Sequence, residues 1–289
     1  MTVDRVSSEI GQKWLIKDQE LHLDIPVIMG ILNVTPDSFS DGGQFIDPSK
    51  AVSRALEMVD QGATIIDVGG ESTRPGSLPI SVKVEVSRTI PVIKALAAKS
   101  DVFISIDTQK AAVAQAAIKA GAHIVNDISA GQSDSEMFTI VSGSRAGYIL
   151  MHMQGKPETM QVAPVYNSVL DEVAGFLVEK LDSALLAGID LERIIVDPGI
   201  GFGKSLDDNL KLMANLHRFN PRGRPLLLGA SRKSFIGMID NSAADQRLGG
   251  SLAAVISAFL RGVRIFRVHD VAETSQVLDI FSAIQKHSD

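Results

Sequence analysis

The sequence contains no cysteine, which removes several classes of chemistry at once. Disulfide bonds, cysteine-ligated metal centres and cysteine nucleophiles are excluded, and cysteine usage gives no indication of the compartment. No serine lies in a G-x-S-x-G turn, and no two histidines form an H-x-H pair. A covalent hydrolase and a histidine-rich zinc site are therefore not expected.

Long apolar runs and an excess of positive charge are also missing. No apolar run approaches the roughly 18 residues of a membrane span, and the first residues, MTVDRVSSEIGQK, lack the apolar core of a signal peptide. The net charge is −6 and there is no basic tail, so a nucleic-acid partner is not expected. These absences predict a cytoplasmic protein without a membrane segment.

What the sequence does contain is a regular alternation of short apolar runs and longer helical patterns. Near-continuous apolar runs are typical of strands buried on both faces of a parallel sheet. Eight such runs occur: PVIMGILN, TIIDVGG, DVFISIDT, AHIVNDIS, GYILMHM, RIIVDPG, PLLLGAS and IFRVHD. Several of the helical patterns end on a glycine, as in DQGAT, KAGAH, LAGID and LRGVR, which is a common signal for a helix C-terminus.

This alternation predicts an α/β fold, a (β/α)8 TIM barrel, rather than a doubly wound sheet. No linker interrupts it, so we expect one domain over residues 1–289, with a hairpin in residues 1–25 and the barrel in residues 26–289. The weakest crossover follows AHIVNDIS, where DSEMFTIVSGSRAG must supply a short helix. The stretch KWLIKDQELHL alternates in polarity around a polar turn and predicts a small β-hairpin that covers the bottom of the barrel.

Polar residues occur at the end of every predicted strand, and the C-terminal strand ends are where such barrels carry their sites. A single aspartate there could equally be a turn former or a helix N-cap, but eight polar ends on one rim favour a functional site. The strand-end residues are Asn33, Glu71, Thr73, Arg74, Asp107, Asn126, Asp127, His152, Asp197, Ser231, Arg232, Lys233, Arg267, His269 and Asp270. The fourth and seventh ends do not carry the carboxylate pair of a glycosidase.

The segment PGIGFGKS, residues 198–205, resembles the phosphate-binding pattern G-x-x-x-x-G-K-[ST]. However, Pro198 occupies the first glycine position, and the segment follows the sixth strand of eight. We therefore favour a glycine-rich loop that lets the backbone approach a flat ligand, with Phe202 offering an apolar face.

The rim combines hydrogen-bond acceptors with positive charge. Acceptors and a charged donor are supplied by Asp107, Asn126, Asp197 and Lys233. On the last strand, Arg267 and His269 form a cationic pair, where barrels often hold phosphate. The pattern predicts a site for a heterocycle with donor edges that carries an anionic phosphate group.

These segments resemble the dihydropteroate synthases over essentially the whole chain. The resemblance rests on segments that stand in the family's order, each at a strand end: GILNVTPDSFSDGG, DVGGESTRPG, SIDT, NDIS, MHMQGKPETMQ, DPGIGFGKS, GASRKSFIG and RVHDVAET. Small departures, at Gln109, Ala130 and Gly131, do not touch the matched functional positions. The family joins p-aminobenzoate to 6-hydroxymethyl-7,8-dihydropterin diphosphate, which forms 7,8-dihydropteroate and releases diphosphate.

The resemblance implies which residues bind each substrate. The pterin is expected to bind to Asp107, Asn126, Asp197 and Lys233. The diphosphate is expected to bind to Asn33, Thr73, Arg267 and His269. The p-aminobenzoate is expected to contact Arg74, Pro75, Phe202 and Ser231. Carboxylates suit the donor edge of the pterin, and the planar fork of an arginine suits phosphate.

A Mg2+ cofactor is also implied, with Asn33 as its protein ligand. An amide oxygen is a hard ligand, and Mg2+ typically keeps few protein ligands beside phosphate and water. Lys233, Arg74 and Asp41 are expected to carry catalysis, with Asp41 stabilising a carbocation-like state. We expect the loops at residues 33–43 and 72–77 to close over the substrates and exclude water.

The helical pattern LGGSLAAVISAFLRG is apolar almost all round, whereas a surface helix should show a polar face. Burial between helices is one explanation, and a homodimer interface, which the family has, is the better one.

Two other functions stay open: a methyltransferase barrel that works between a folate and a corrinoid, and a pterin-binding protein without catalysis. The first would not use the Arg267–His269 anion site, and the second would not need Arg74, Asp41 and Lys233 together.

Overall fold

The computed structural model describes residues 12–35 and 47–287, which form a two-stranded hairpin and a barrel of eight parallel strands. The hairpin strands are β1 (Lys13–Ile16) and β2 (Gln19–His22). The barrel strands are β3 (Val27–Asn33), β4 (Ile65–Gly69), β5 (Phe103–Asp107), β6 (Ile124–Asp127), β7 (Gly147–Met151), β8 (Ile194–Asp197), β9 (Leu227–Leu228) and β10 (Ile265–Val268).

Helices alternate with these strands along the chain. Within the described ranges they are α1 (Pro48–Asp60), α2 (Val82–Ala97), α3 (Ala111–Ala120), α4 (Met137–Ser144), α5 (Val169–Leu186), α6 (Leu206–Ala214), α7 (Ser234–Asp240), α8 (Leu248–Phe259) and α9 (Val271–Gln285). None of these helices is long and apolar enough to cross a membrane.

The barrel strands pair in the order β8-β7-β6-β5-β4-β3-β10-β9, and every neighbouring pair is parallel. The two edge strands approach each other through a parallel bridge between Val196 and Leu226, which nearly closes the barrel. The predicted (β/α)8 barrel and its N-terminal hairpin are therefore confirmed. The prediction of a single domain over residues 1–289 stays a prediction, because the structure describes only part of that range.

The helices agree with most of the predicted pattern. The crossover after β6 does contain a short helix, α4. The four predicted terminal glycines, Gly62, Gly121, Gly188 and Gly262, all have positive φ angles. At Gly121, for example, φ is 118°, a left-handed value that glycine adopts without side-chain strain. Helices α7 and α9 have no counterpart among the predicted helical patterns. Helix α7 spans only seven residues.

Side chains on each strand alternate between the barrel interior and the surrounding helices. The lower interior is apolar and is filled by Val27, Met29, Ile65, Ile124, Ile149, Ile195, Leu227 and Ile265. Towards the C-terminal strand ends the inward positions become polar. In β4, for example, the inward side runs from Ile65 through Asp67 to Gly69. The upper end of the barrel is therefore the polar end.

The hairpin covers the lower end, as predicted. Trp14 and Ile16 are fully buried and pack into the same apolar cluster as the lower barrel side chains. The indole N–H of Trp14 donates a hydrogen bond to the carbonyl oxygen of Arg193 at 2.7 Å. A Cβ atom at Gly147 would lie 2.9 Å from the Trp14 ring, so the glycine at the start of β7 makes room for the hairpin.

Candidate active site

The upper end of the barrel brings together the inward-facing residues at the strand ends. Asp107 ends β5 and pairs in register with Asn126 of β6, so the two side chains are neighbours on the barrel wall. Asp197 ends β8 on the far side, and Arg267 lies in β10. Asp107, Asn126 and Asp197 are almost completely buried. By contrast, Asp127 faces the helices. It accepts hydrogen bonds from the backbone N–H groups of Ser129 and Gly131 and from the Tyr148 hydroxyl.

Arg267 reaches across the barrel and forms two ion pairs. Its Nε atom donates to Asp67 Oδ2 at 2.6 Å, and its Nη2 atom donates to Asp107 Oδ2 at 2.7 Å. Asp67 also accepts a hydrogen bond from the amide nitrogen of Asn126 at 3.0 Å. Four polar side chains from β4, β5, β6 and β10 therefore form one buried network.

Asp67 was not among the predicted site residues. It lies within TIIDVGG, a run that the sequence assigns to a strand buried on both faces. A carboxylate in the middle of such a strand is a signal in itself, because a buried charge is costly unless it is paired. The set of predicted site residues therefore lacks the one that β4 contributes, Asp67.

The buried network shifts the protonation of Asp107. Burial raises the pKa of Asp107 to about 7, against the opposing positive charge of Arg267. The negative charges of Asp67 and Glu85 raise this pKa further. Asp107 is therefore poised to gain or lose a proton close to neutral pH.

Lys233 and Asp197 form a second charged group on the opposite wall. Burial lowers the pKa of Lys233 to about 7, and the negative charge of Asp197 opposes the shift. The Lys233 amine donates a hydrogen bond to the carbonyl oxygen of Ile200 and lies 4.1 Å from the centre of the Phe202 ring. Asp197 accepts a hydrogen bond from the backbone of Gly199 at 2.7 Å. These contacts bring the predicted residues Lys233, Asp197 and Phe202 to one place.

His269 is held by Ser231, which lies in the segment that follows β9. The Ser231 hydroxyl lies 3.0 Å from His269 Nδ1 and accepts a hydrogen bond from the His269 backbone at 3.2 Å. Burial lowers the pKa of His269 to about 4, and the nearby charges of Arg267 and Arg232 lower it further. A neutral imidazole that accepts the Ser231 proton at Nδ1 carries its own proton on Nε2.

This corrects one prediction. The sequence pattern suggested that Arg267 and His269 form a cationic pair, but the low pKa of His269 leaves it neutral at pH 7. The physical reason is that the imidazole is buried beside two guanidinium groups, which disfavour a further positive charge. Arg267 supplies the charge at this end of the rim, and His269 supplies an uncharged N–H donor.

A further ion pair joins the ends of β9 and β10. The Arg232 guanidinium contacts both carboxylate oxygens of Asp270, with Nε to Oδ2 at 3.0 Å. Arg232 has a φ of 57°, a left-handed value that is uncommon for a residue with a side chain. Its backbone N–H donates to the Ser251 hydroxyl at 2.9 Å, which ties this turn to α8. The strand end that carries Ser231 and Lys233 is thus fixed from two sides.

The glycine-rich loop at residues 199–203 is built around Lys204. The Lys204 side chain is buried, and its amine lies 2.9 Å from His152 Nδ1, 2.8 Å from the Gly199 carbonyl oxygen and 3.0 Å from the Phe202 carbonyl oxygen. Burial lowers its pKa well below the ordinary value. The lysine of the phosphate-binding pattern therefore points into the protein, and the segment is a support for the site rather than a nucleotide cradle.

The loop after β4 carries the predicted residues Thr73, Arg74 and Pro75. Thr73 is half-buried, whereas Arg74 and Pro75 are exposed. The loop is closed by a hydrogen bond of 2.8 Å between the Ser72 and Ser77 hydroxyls.

An ion network fixes the base of this loop. The Glu71 carboxylate accepts from the backbone of Ile80 at 2.7 Å and from Lys110 at 2.6 Å. Lys110 also donates to the fully buried Glu85 at 2.6 Å. No sequence signal distinguished Lys110 from a surface lysine, because its partners lie on α2 and on the preceding loop.

Asn33 ends β3 beside Gly69 of β4. A Cβ atom at Gly69 would lie 3.7 Å from Asn33 Oδ1, so this glycine leaves space beside the amide. Within residues 12–35 and 47–287, no group of three or more histidine, aspartate or glutamate side chains could hold a metal ion. Asp41, the third predicted catalytic residue, lies outside the described residues.

Comparisons with known proteins show which family the chain belongs to. Residues 29–269 match the family of pterin binding enzymes. Dihydropteroate synthase of Escherichia coli K12 is 47% identical over 273 residues, which cover 94% of this chain and 96% of that protein. The structure of Xanthomonas albilineans dihydropteroate synthase with 4-aminobenzoic acid has a TM-score of 0.90 and 42% identity, and covers 96% of this chain and 100% of that chain.

A third relative is the Burkholderia cenocepacia dihydropteroate synthase complexed with 7,8-dihydropteroate. It has a TM-score of 0.87 and 39% identity, and covers 96% of this chain and 98% of that chain. Fold, site and family match together define a pterin-binding barrel enzyme, a transferase whose substrates are small molecules. The chain belongs to the dihydropteroate synthase family.

Proposed function

We propose that the polar upper end of this barrel joins p-aminobenzoate to 6-hydroxymethyl-7,8-dihydropterin diphosphate, forming 7,8-dihydropteroate and releasing diphosphate. The observation that carries the proposal is the buried network of Arg267 with Asp67, Asp107 and Asn126. It combines acceptors for a heterocycle with a fixed cation for an anion at one end of the barrel. Relatives crystallised with 4-aminobenzoic acid and with 7,8-dihydropteroate support the same substrate and the same product.

The pterin ring is proposed to lie between the Arg267 network and the Lys233–Asp197 group. Its amino and N–H edge is an array of donors, which Asp107 and Asp197 accept as carboxylates. Asn126 presents its amide oxygen to the same edge, because its nitrogen is engaged by Asp67. Lys233 donates to the oxo oxygen of the pterin from the opposite side, in place of its hydrogen bond to Ile200.

The diphosphate is proposed to lie beside β10 and the end of β3. Arg267 offers it the N–H groups that the two carboxylates leave free, and His269 offers the N–H at Nε2. Thr73 contributes a hydroxyl from the loop after β4. Donors that are already in place where negative charge grows on a leaving group are a major source of catalysis.

Asn33 fits a weakly held Mg2+ ion. Its amide oxygen is a hard ligand with open space beside it at Gly69, and the surrounding described residues provide no cage of carboxylates. When bound, the ion would neutralise charge on the departing diphosphate. Calorimetry of diphosphate binding with and without Mg2+ tests this proposal: Mg2+ should strengthen binding to the natural protein much more than to Asn33→Ala.

The p-aminobenzoate is proposed to enter above the pterin. The exposed Arg74 guanidinium suits its carboxylate, while Pro75 and Phe202 offer apolar contact to its ring. The Ser231 hydroxyl accepts from the backbone N–H of His269 and lies within hydrogen-bond distance of its Nδ1 atom. When Nδ1 accepts the Ser231 proton, the hydroxyl offers p-aminobenzoate only its remaining lone pair.

The reaction itself is a substitution at the methylene carbon of the pterin. The amine nitrogen of p-aminobenzoate forms a bond to this carbon, the carbon–oxygen bond to diphosphate breaks with its electron pair, and the amine loses a proton. No enzyme nucleophile is needed, which agrees with the absence of a cysteine or serine elbow. Lys233 and Arg74 are proposed to hold the two substrates in line, and Asp41 to stabilise positive charge on the pterin.

A diphosphate-release assay with both substrates tests the proposal. The natural protein should release one diphosphate for each 7,8-dihydropteroate formed, and Lys233→Met should reduce the rate by about 100-fold. Pterin diphosphate that binds without any diphosphate release would indicate a pterin-binding protein without catalysis. Methyl transfer from a folate without diphosphate release would indicate the methyltransferase alternative.

We also propose that the protein forms a homodimer through its last helices. Buried small side chains fix α8 to the barrel, and α9 packs beside it through an edge-to-face contact of Phe259 with Phe281. Exposed apolar side chains lie on or next to α7, α8 and α9, each between 58% and 60% accessible: Met238, Ile239, Leu260, Ile280 and Ile284. A second copy would cover them. Sedimentation that shows only a monomer at micromolar concentration would refute the dimer.

A further inference from the structure

Asp67 is the most deeply placed ionisable group of the site. It occupies the middle of β4 and pairs in register with Ile31 and Ser105 of the neighbouring strands. No part of Asp67 is exposed, and its Oδ1 atom has no hydrogen-bond partner among the described residues. Desolvation of a carboxylate costs about as much free energy as good ion pairs return, so stability alone does not account for Asp67.

We propose that Asp67 is a positioning residue: one of its carboxylate oxygens fixes both the Arg267 guanidinium and the Asn126 amide in the orientations that receive the substrate. This inference rests on the proposed function, which places Arg267 at the diphosphate and Asn126 at the pterin. Asp67 acts through these two side chains from the layer beneath the strand ends.

The effect on Arg267 follows from the geometry of a guanidinium group. Its five N–H groups lie in one plane, so two fixed directions determine the other three. Asp67 fixes the Nε–H, and Asp107 fixes one N–H of Nη2. Both N–H groups of Nη1 and the second N–H of Nη2 then remain for an anion, since the described residues provide these three with no acceptor. With Asp107 alone, the guanidinium could rotate about a single contact.

The effect on Asn126 is a choice between two orientations of its amide. The oxygen and nitrogen of an amide have nearly the same shape, and only hydrogen-bond partners decide between them. A carboxylate oxygen can only accept, so Asp67 forces the Asn126 nitrogen towards itself. The Asn126 oxygen is then the group left for the donor edge of the pterin. Without the carboxylate the amide can flip and place an N–H against that edge.

Asp67→Asn tests the proposal, with Ser105→Ala as its matched control. Asp67→Asn keeps the shape of the side chain but removes the charge and adds donors. We expect kcat/KM for the pterin diphosphate to fall by about 100-fold, while the KM for p-aminobenzoate stays within about twofold. Ser105 is the neighbouring buried residue of the same layer and has an unpartnered hydroxyl, so its removal should change neither constant.

Asp67→Glu provides a second variant, because it keeps the charge but moves the oxygen by one methylene. A positioning role predicts a comparable loss. Combination of Asp67→Asn with Arg267→Lys should give less than the sum of the two single losses, since both variants disrupt the same contact.

Three outcomes would overturn the inference. They are activity of Asp67→Asn within about twofold of the natural protein, equal losses in Asp67→Asn and Ser105→Ala, and additive losses in the double variant. If the natural protein itself did not turn over, the proposed function would fall instead. Calorimetric affinity for the pterin diphosphate would still decide the inference, because unchanged affinity in Asp67→Asn contradicts a fixed Asn126 amide.

Discussion

At the scale of single residues, burial in the site shifts the pKa values of three ionisable groups. Burial brings the pKa of both Asp107 and Lys233 to about 7, and it brings that of His269 to about 4. An acid and a base that titrate together near neutral pH are typical of functional sites. The protonation of these groups therefore predicts how activity depends on pH.

The value of kcat/KM for the pterin diphosphate should have a narrow maximum near pH 7. Below that pH Asp107 gains a proton, which turns one of its acceptor oxygens into a donor that faces the donor edge of the pterin, and above it Lys233 loses the proton that it donates. Because kcat/KM reports the free enzyme, the two limbs give the apparent pKa values of this coupled pair. Asp107→Asn should remove the acidic limb, and Lys233→Met the basic limb. A flat profile between about pH 5 and 9 would contradict both assignments.

His269 should act as an uncharged donor through Nε2. Glutamine places an N–H close to that position, so His269→Gln should retain activity within about 10-fold, whereas His269→Ala should lose about 100-fold. Steady-state rates at saturating p-aminobenzoate measure both values. The opposite order, with alanine more active than glutamine, would mean that the Nε2 proton has no role in the reaction.

The sequence predicted Asp107, Asn126 and Asp197, because each of them lies at the end of an apolar run, but it missed Asp67 in the middle of one. It did not predict how they pair. Arg267 and Asp67 are 200 positions apart, and only closure of the barrel brings them to 2.6 Å. The same holds for the low pKa of His269, which depends first on burial and then on the guanidinium groups of Arg267 and Arg232. Residue types and positions can be read from one sequence, whereas charge states need the contacts.

At the scale of elements, the glycine-rich loop and its lysine form one unit. A Cβ atom would lie 1.9 Å from the His152 carbonyl oxygen at Gly199 and 2.4 Å from the Gln154 carbonyl oxygen at Gly203. Both positions therefore require glycine, and the close approach of the backbone buries the carbonyl groups that Lys204 satisfies. The loop in turn carries Phe202 and the Ile200 carbonyl oxygen, and both contact the Lys233 amine.

Removal of the Lys204 amine should therefore destabilise the protein and weaken its activity together. Lys204→Met leaves buried acceptors without donors, and we expect the free energy of unfolding to fall by about 3 kcal/mol. Urea unfolding measures this change. Lys211→Met, which removes an exposed lysine of α6, should leave the unfolding midpoint unchanged. Equal midpoints for the two variants would show that the buried amine does not stabilise the loop.

Elements differed in how well the sequence predicted them. The strands were readable because both of their faces are buried, so nearly every residue is apolar. Helix α9 was missed although it spans 15 residues, because it keeps apolar Ile280 and Ile284 at the surface and so lacks a clear polar face. Helix α7 is shorter than the window in which a helical period can be recognised.

At the scale of the whole molecule, stability and chemistry lie at opposite ends of the barrel. The lower end is apolar and covered by the hairpin, whereas the upper end holds buried charges. Trp14→Ala should therefore lower the free energy of unfolding by about 3–5 kcal/mol, since it removes a fully buried ring and its hydrogen bond. The KM values of the folded protein should not change. A raised KM for either substrate in this variant would contradict the separation of the two ends.

Trp14 is also the only tryptophan of the chain, which turns the hairpin into an optical reporter. Strand β3 has seven residues and is about 23 Å long, so the indole lies beneath the rim at a distance over which excitation energy passes to a pterin. Pterin binding at the rim should quench the emission without shifting its wavelength, whereas unfolding should shift it to the red. One natural fluorophore can therefore distinguish occupancy of the site from loss of the fold.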